Sequence, residues 1–412
     1  MLASCVVRWW LALTVAFSAV TVLAGPNELY DPPALFLTWK RDPARTMIIH
    51  WQTVGEARAE AYYRASGAGD WIKVQGESHP FPKSKRTIHT VELTGLTPRS
   101  DYEFCFLPGE KTFRFRTLPA TLVSPVRFVN GGDAYHERNW MDTMNRLAGK
   151  FDPAFVVIGG DLAYSCGGKS PERMERWDDY FDSWKTNARA SDGRLVPLLV
   201  TIGNHEVVGS WDQSPTNAQG FYALFPLPGE RGYACLDFGN YLSLFLLDSS
   251  ITHPIEGAQT DWLRHELAKR RTMPHIIPVY HIPAYPSIRS DATGQSSEHT
   301  QMIRRSWCPL FEEAGVTVAF EHHDHSNKRT YPIRDGKIDP TGIVYLGDGA
   351  WGVHLRQPDK TKPRWYIARS DGIRHLYVVT LYPESCHVLG VNDNGEVFDE
   401  VYRRLPVSAA AN

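Results

Sequence analysis

Between residues 126 and 320, short apolar runs alternate with segments whose apolar positions recur at helical spacing. Val126–Asn130 runs into Gly131 and Gly132, and Phe155–Ile158 runs into Gly159 and Gly160, so each reads as a buried strand ending in a turn. Trp140–Leu147, between them, has a helical pattern, which predicts a βαβ unit with neighbouring parallel strands. Val196–Ile202, His275–Tyr280 and Val316–Phe320 predict three more strands, and helices are predicted over Glu172–Ala188 and Gln259–Arg270. Leu263 and Leu267 share one face of the second helix. From Leu376 to Arg404 the pattern returns to strands.

Upstream the rhythm is shorter. Ala34–Trp39, Thr46–Gln52, Ala59–Arg64, Trp71–Gln75, Thr87–Leu93, Ser100–Phe106 and Thr112–Thr117 read as seven strands separated by turns, which suggests a β-sandwich. Leu118–Pro125 reads as a linker, because its prolines block continued pairing. At the amino end, Arg8 precedes an apolar run from Trp9 to Ala24 with small residues at its close. This predicts a signal peptide over residues 1–24 and a mature start near Gly25. No other stretch is long and apolar enough to span a membrane.

The polar residues that close the predicted strands carry the chemistry. Asp133 follows two glycines; Asp161 and Tyr164 stand in Gly-Asp-Leu-Ala-Tyr; Asn204, His205 and Glu206 follow Gly203; His281 follows Val-Tyr; His322, His323, Asp324 and His325 close the series. Taken singly, such an aspartate reads as a turn or cap residue and such a tyrosine as a packed aromatic. Together they place two carboxylates, one phenol, one amide and three imidazoles at the carboxyl ends of strands, where sites lie in open α/β sheets. If one carboxylate bridges, seven side chains supply four ligands to each of two ions. The glycines are expected to let the backbone turn sharply and bring Asp133 and Asp161 together, where a shared cation removes their repulsion. Alternation along an extended segment is expected to aim His323 and His325 at one site while Asp324 faces elsewhere. A tyrosine ligand is phenolate, a hard anion that favours Fe(III).

At these residues the chain resembles the calcineurin-like metallophosphoesterases, and within them the purple acid phosphatases. That series is written GDxG, GDxxY, GNH(D/E), VxxH and GHxH, and stands here as GGDAY, GDLAY, GNHE, VYH and HHDH. The resemblance implies Asp133, Asp161, Tyr164 and His325 around a ferric ion. It implies Asp161, Asn204, His281 and His323 around a divalent ion (Zn, Mn or Fe), with Asp161 bridging. His205 falls on the family's histidine near the phosphate and leaving group. Tyr135 and His322 stand where the family has glycine, and are expected to put larger side chains beside the site. Tyr164 separates this branch from the wider superfamily, whose first block carries Asp-x-His; His136 leaves that older arrangement open. Substrate contacts are sought at His136, Arg138, His299 and Arg329. The implied architecture is an α/β metallophosphoesterase-type sandwich of two mixed β-sheets flanked by helices, over residues 122–405. An all-β domain like fibronectin type III precedes it, over residues 30–118, with Leu93–Tyr102 resembling a tyrosine corner.

The activity implied is hydrolysis of phosphate monoesters by a metal-bound hydroxide in a secreted enzyme, extracellular or periplasmic. Two readings compete: a phosphodiesterase on the same two-metal frame, and a non-catalytic cell-wall-binding protein, which the intact blocks oppose. A formal net charge of −2 over 412 residues gives no footprint for nucleic acid. With Cys5 in the signal segment, Cys105, Cys166, Cys235, Cys308 and Cys386 remain, an odd set that leaves at least one thiol free or paired between chains.

Overall fold

The computed structural model describes residues 26–55, 58–289 and 297–405; the proposed signal segment lies outside the described residues. Eight strands come first: β1 (Leu35–Thr38), β2 (Met47–Val54), β3 (Glu60–Ala65), β4 (Ile72–Gln75), β5 (Glu77–Pro80), β6 (Arg86–Leu93), β7 (Asp101–Cys105) and β8 (Phe113–Arg116). They form two four-stranded antiparallel sheets, ordered β1-β2-β6-β5 and β4-β3-β7-β8. Seven of the eight match predicted runs. The eighth, β5, is fully exposed, so no apolar alternation marks it. Tyr102 closes a tyrosine corner, its hydroxyl accepting from the Thr97 backbone N–H at 2.8 Å.

The larger part holds β9 (Val126–Gly131), β10 (Val156–Gly159), β11 (Leu198–Thr201), β12 (Ala234–Phe238), β13 (Leu242–Leu246), β14 (His275–Val279), β15 (Val318–Phe320) and β16 (Asn327–Thr330). A small hairpin of β17 (Ile333–Arg334) and β18 (Lys337–Ile338) follows, then β19 (Val344–Gly347), β20 (Ile367–Asp371), β21 (His375–Tyr382), β22 (Ser385–Asn392) and β23 (Val397–Arg404). Two mixed sheets result, β11-β10-β9-β21-β22-β23 and β12-β13-β14-β15-β19-β16-β20. Phe128, Val157, Leu199, Leu244, Val279, Phe320 and Val379 share the core between them. Val129, Ile158 and Val200, on alternate positions, join Met141 and Met144 of helix Arg138–Lys150 and Trp177 of helix Glu175–Asn187. Strands buried on both faces explain why these runs are apolar throughout.

Register puts the site at one edge. β9 and β10 are parallel with Val156 opposite Val129 and Ile158 opposite Gly131, and β10 continues parallel to β11 with Gly159 opposite Thr201. In the other sheet β14 and β15 are parallel, Val279 opposite Phe320. All five loops that carry the motif residues follow these strand ends.

The N-terminal sandwich packs onto this body through aromatic rings. Trp39 meets Phe155 and Phe238 edge-on at 6.1 Å, and Phe36 stacks on Phe181 at 4.5 Å. Ion pairs Arg86–Asp178 at 2.8 Å and Lys185–Asp31 at 2.6 Å flank the contact.

Two buried histidines make the fold acid-sensitive. Burial pushes His50 down to about 3 and His375 down to about 4. In the unfolded chain both rings take a proton near pH 6.5, so unfolding binds protons below that value and stability falls as pH drops from about 6.5 toward 4. Each ring contributes a slope on the order of 1 kcal/mol per pH unit. A urea midpoint that declines through this window, and declines less steeply in His50→Phe, is the expected result.

Candidate metal centre

Asp133 and Asp161 leave β9 and β10 on loops that bond each other: Asp133 N–H donates to Gly160 O at 3.0 Å and Ala134 N–H to Asp161 O at 2.7 Å. The sharp turn expected of the glycines occurs at Gly160, with φ 87°, and extends onto the aspartates themselves. Asp133 has φ 57° and Asp161 φ 52°, and Tyr164, His323 and His325 are also left-handed, at 51°, 82° and 58°. Five of the seven expected ligands thus hold a conformation that L-residues seldom adopt. Gly132 and Gly159 serve close approach instead: a Cβ on either would lie 2.4 or 1.8 Å from the His322 ring.

All seven side chains are at most 5 % exposed. One group joins Tyr164 Oη to Asp133 Oδ1 at 3.2 Å and to His325 Nε2 at 3.1 Å, with His325 Nε2 3.1 Å from Asp133 Oδ1. The other places His281 Nε2 at 3.1 Å from both Asn204 Oδ1 and His323 Nδ1, and at 3.4 Å from Asp161 Oδ2. Asp161, His281 and His323 form one set of mutually close donors and Asp133, Asp161 and His325 a second, with Asp161 common to both.

Proton placement tests whether a cation belongs there. His281 Nδ1 sits 2.9 Å from the Gly159 carbonyl, so it carries the hydrogen and the neutral ring turns a bare Nε2 toward three other acceptors. Asp161 Oδ2 is buried and accepts no hydrogen bond among the described residues. Burial disfavours a charge on His281, yet Asp161 outweighs it and raises the imidazole to about 9. Asp161 thus favours a positive charge at this point, which a metal ion would supply. Burial and the two aspartates push Tyr164 well above the usual phenol range, so its phenolate needs a strong cation beside it. The donor set fits two metal ions.

His205 lies against this centre. Its ring stacks on Tyr164 at 4.4 Å, its backbone N–H donates to Asp161 Oδ1 at 2.8 Å, and its Nδ1 donates to Cys166 O at 2.8 Å, leaving Nε2 without a partner among the described residues. His136 meets the Tyr164 ring edge-on at 4.4 Å, but its Nδ1 accepts the His354 N–H at 3.2 Å, and burial pushes it to about 4. It borders the donors without joining them. His299 shares a cavity of about 220 Å³ with His323 and Trp211, and pairs with Asp212 at 3.1 Å.

Arg138 and Arg329 are engaged elsewhere. Arg138 bridges Asp142 at 2.8 Å and Asp182 at 2.6 Å, and Arg329 reaches to Asp399, on β23 of the other sheet, at 2.9 Å, so neither bonds the seven donors among the described residues. Sequence proximity misleads because Arg138 opens a helix and Arg329 lies on β16, and each side chain turns to a carboxylate from another part of the fold. Tyr135 and His322 pack into the body of the fold on the core side of the motif loops. Tyr135 donates to Asp179 at 3.0 Å beneath the Arg176 guanidinium, and His322 fills the space over Gly132 and Gly159. The alternation expected of His323 and His325 does not operate either, because β15 ends at Phe320 and a left-handed loop aims both rings. No disulfide joins the five described cysteines.

The residues beyond 118 match the family profile described as calcineurin-like phosphoesterase over 132–327, and residues 32–117 match that of the purple acid phosphatase N-terminal domain. The chain belongs to the purple acid phosphatase branch of the calcineurin-like phosphoesterases. This is a class of metal-dependent phosphoric ester hydrolases with a binuclear centre, and the chain is an enzyme of that class. An uncharacterized protein of Mycobacterium tuberculosis is 26% identical over 93% of this chain and 78% of its own length. Purple acid phosphatase 15 of Arabidopsis thaliana is 26% identical over 64% of this chain, and the match spans 53% of that relative. Among solved structures, a purple acid phosphatase from yellow lupin (Lupinus luteus) seeds shares the fold, with a TM-score of 0.74 at 17% identity over 92% of this chain and 77% of that one.

Three residues near the purple acid phosphatase centre escaped sequence reasoning: Glu206, Trp211 and Arg289. Glu206, visible as the last letter of its block, accepts from the N–H groups of Asp161 (2.8 Å), Leu162 (2.7 Å) and Gly203 (2.9 Å) and so ties two motif loops. Nothing in local spacing marks the other two. Glu206→Ala strands three buried donors and is expected to cost about 3 kcal/mol, read as a lowered urea midpoint with unchanged slope.

Proposed function

We propose that this enzyme is a secreted acid phosphatase-like hydrolase of phosphate monoesters. The observation that carries the reading is the convergence of seven buried donors into two groups sharing Asp161. In this reading Asp133, Asp161, Tyr164 and His325 hold Fe(III), and Asp161, Asn204, His281 and His323 hold a divalent ion. Bound there, the two ions would activate a water as nucleophile and neutralise charge that builds on the phosphoryl oxygens.

The chain's own groups supply the rest. Asn204 is a neutral ligand, which keeps its half of the centre less anionic than the half with Tyr164. The stack on Tyr164 and the bond to Cys166 O fix the His205 ring and leave Nε2 as the nitrogen that can carry a proton to the leaving oxygen. Export is supported by the apolar run before Gly25, and no helix among the described residues is long and apolar enough to cross a membrane.

Oxidised, iron-loaded protein is expected to absorb visible light through an iron–tyrosinate pair, and Tyr164→Phe to bleach it; a colourless iron-loaded wild type would remove the ferric assignment. Metal analysis should find both ions depleted in Asp161→Asn, whereas Asn204→Ala and His323→Ala deplete mainly the divalent one. His205→Ala should keep both ions and lose roughly 10²-fold or more in turnover of an alkyl phosphate. The loss should shrink for aryl phosphates, whose leaving groups need little protonation. An equal loss for both would make His205 a positioning group.

A further inference from the structure

We propose that Arg289, held by Asp324, is the residue that binds the non-bridging oxygens of the substrate's phosphoryl group and favours monoesters over diesters. The inference rests on the phosphatase reading above. Arg289 lies eight residues beyond His281, on the loop after β14, and its Nη1 stands 3.2 Å from His323 Nδ1. Once that nitrogen gives its lone pair to a cation it can no longer accept, and the guanidinium N–H must find another acceptor.

Electrostatics restrict what the acceptor can be. A guanidinium beside two metal cations is repelled by them, and Arg356 lies near enough for its charge to disfavour that of Arg289 as well, after burial. Asp324 offsets part of this cost from 3.7 Å, on the Nε side, and among the described residues no carboxylate pairs with the terminal nitrogens. An anion placed between Arg289 and the metals removes the rest. The planar fork of arginine matches two oxygens of one phosphoryl group. A monoester dianion offers two or more free oxygens beyond those engaged in reaction, whereas a diester replaces one with a second ester group.

The placement is built rather than incidental. Asp324 is fully buried, and its Oδ2 accepts the N–H groups of Ile288 at 2.6 Å and Arg289 at 3.3 Å, so the residue between two candidate ligands fixes the backbone of the arginine loop. Ser287 N–H is held by Asp348 Oδ2 at 3.0 Å, which pins the same loop a second time. Arg289 retains 36% side-chain exposure and opens on the cavity shared by Trp211, His299 and His323, with room for a phosphate ester.

Calorimetric titration of inorganic phosphate into metal-loaded protein tests the binding directly. Arg289→Met should keep both metals and weaken phosphate roughly 10- to 100-fold, the scale for a charged hydrogen-bonded pair; Arg289→Lys should lie between. Asp324→Asn should weaken phosphate too, and the double variant should lose less than the sum, because Asp324 acts through Arg289. Aryl monoester kcat/KM should fall with phosphate affinity while aryl diester turnover changes little. Phosphate affinity within twofold of wild type in Arg289→Met overturns the proposal. Loss of a metal in that variant also overturns it, by making Arg289 a support for His323. If wild type hydrolyses neither ester, the phosphatase reading fails, while the phosphate titration still decides the role of Arg289.

Discussion

Two carboxylates, a phenol, an amide and three imidazoles, buried in two groups whose neighbouring donor atoms lie 3.1 to 3.4 Å apart, are the constraint to which the rest of the molecule conforms. Apart from the Tyr164 hydroxyl, which donates to Asp133, the donors turn electron density toward one another, and the bare Nε2 of a neutral His281 faces three acceptors at once. Such a gathering is unfavourable until a cation occupies it, so the polypeptide must hold it together by other means. The left-handed backbone at five of the donors adds strain of roughly 1–3 kcal/mol each. The parallel strands that deliver these loops are buried on both faces, and their packing supplies the opposing stability.

Two buried polar networks carry the load between strands and donors. Glu206 gathers the N–H groups of the Asp161 and Asn204 loops with no partner from elsewhere. Lys328 lies between Glu321 and Asp348, the latter at 2.9 Å, and all three are fully buried. Glu321 in turn accepts Tyr280 Oη at 2.6 Å and Ala284 N–H at 2.8 Å. The ends of β14, β15, β16 and β19 are therefore tied by a single lysine and its two carboxylates. A buried ion triad of this kind contributes little net stability. Its effect is register: a shift of any one strand end would leave a charge unpaired.

These networks mark the boundary of what the sequence reveals. The seven donors were legible because each closes an apolar run, and period and turn chemistry are local properties. The β12–β13 hairpin and β5 were not read: the first lies in a stretch without motif residues, and the second is an exposed strand with no apolar face. Arg138 and Arg329 were chosen for nearness in sequence, yet each had carboxylates closer in space, Asp182 and Asp399, 44 and 70 positions away. Arg289 went unnoticed for the same reason reversed: its orienting partner, Asp324, is 35 positions distant and meets it only because β14 and β15 are neighbours. His322 and Tyr135 stand where the family has glycine, and the space their rings fill lies on the core side of the loops.

The N-terminal sandwich also bears on the centre. Phe36 stacks on Phe181 and Arg86 pairs with Asp178, both on helix Glu175–Asn187. One turn away on that helix, Arg176 covers the Tyr135 ring at 4.0 Å and donates to the carbonyls of Tyr135 and, at 2.6 Å, Ala163. Those carbonyls belong to the loops that present Asp133 and Asp161. A single guanidinium thus spans both aspartate loops from behind, and its helix is braced by the other domain. Because the stacked rings between the two bodies are buried, the sandwich cannot swing freely. It fixes the helix, the helix fixes Arg176, and Arg176 holds together two loops whose carboxylates would otherwise relax away from each other before a cation arrives.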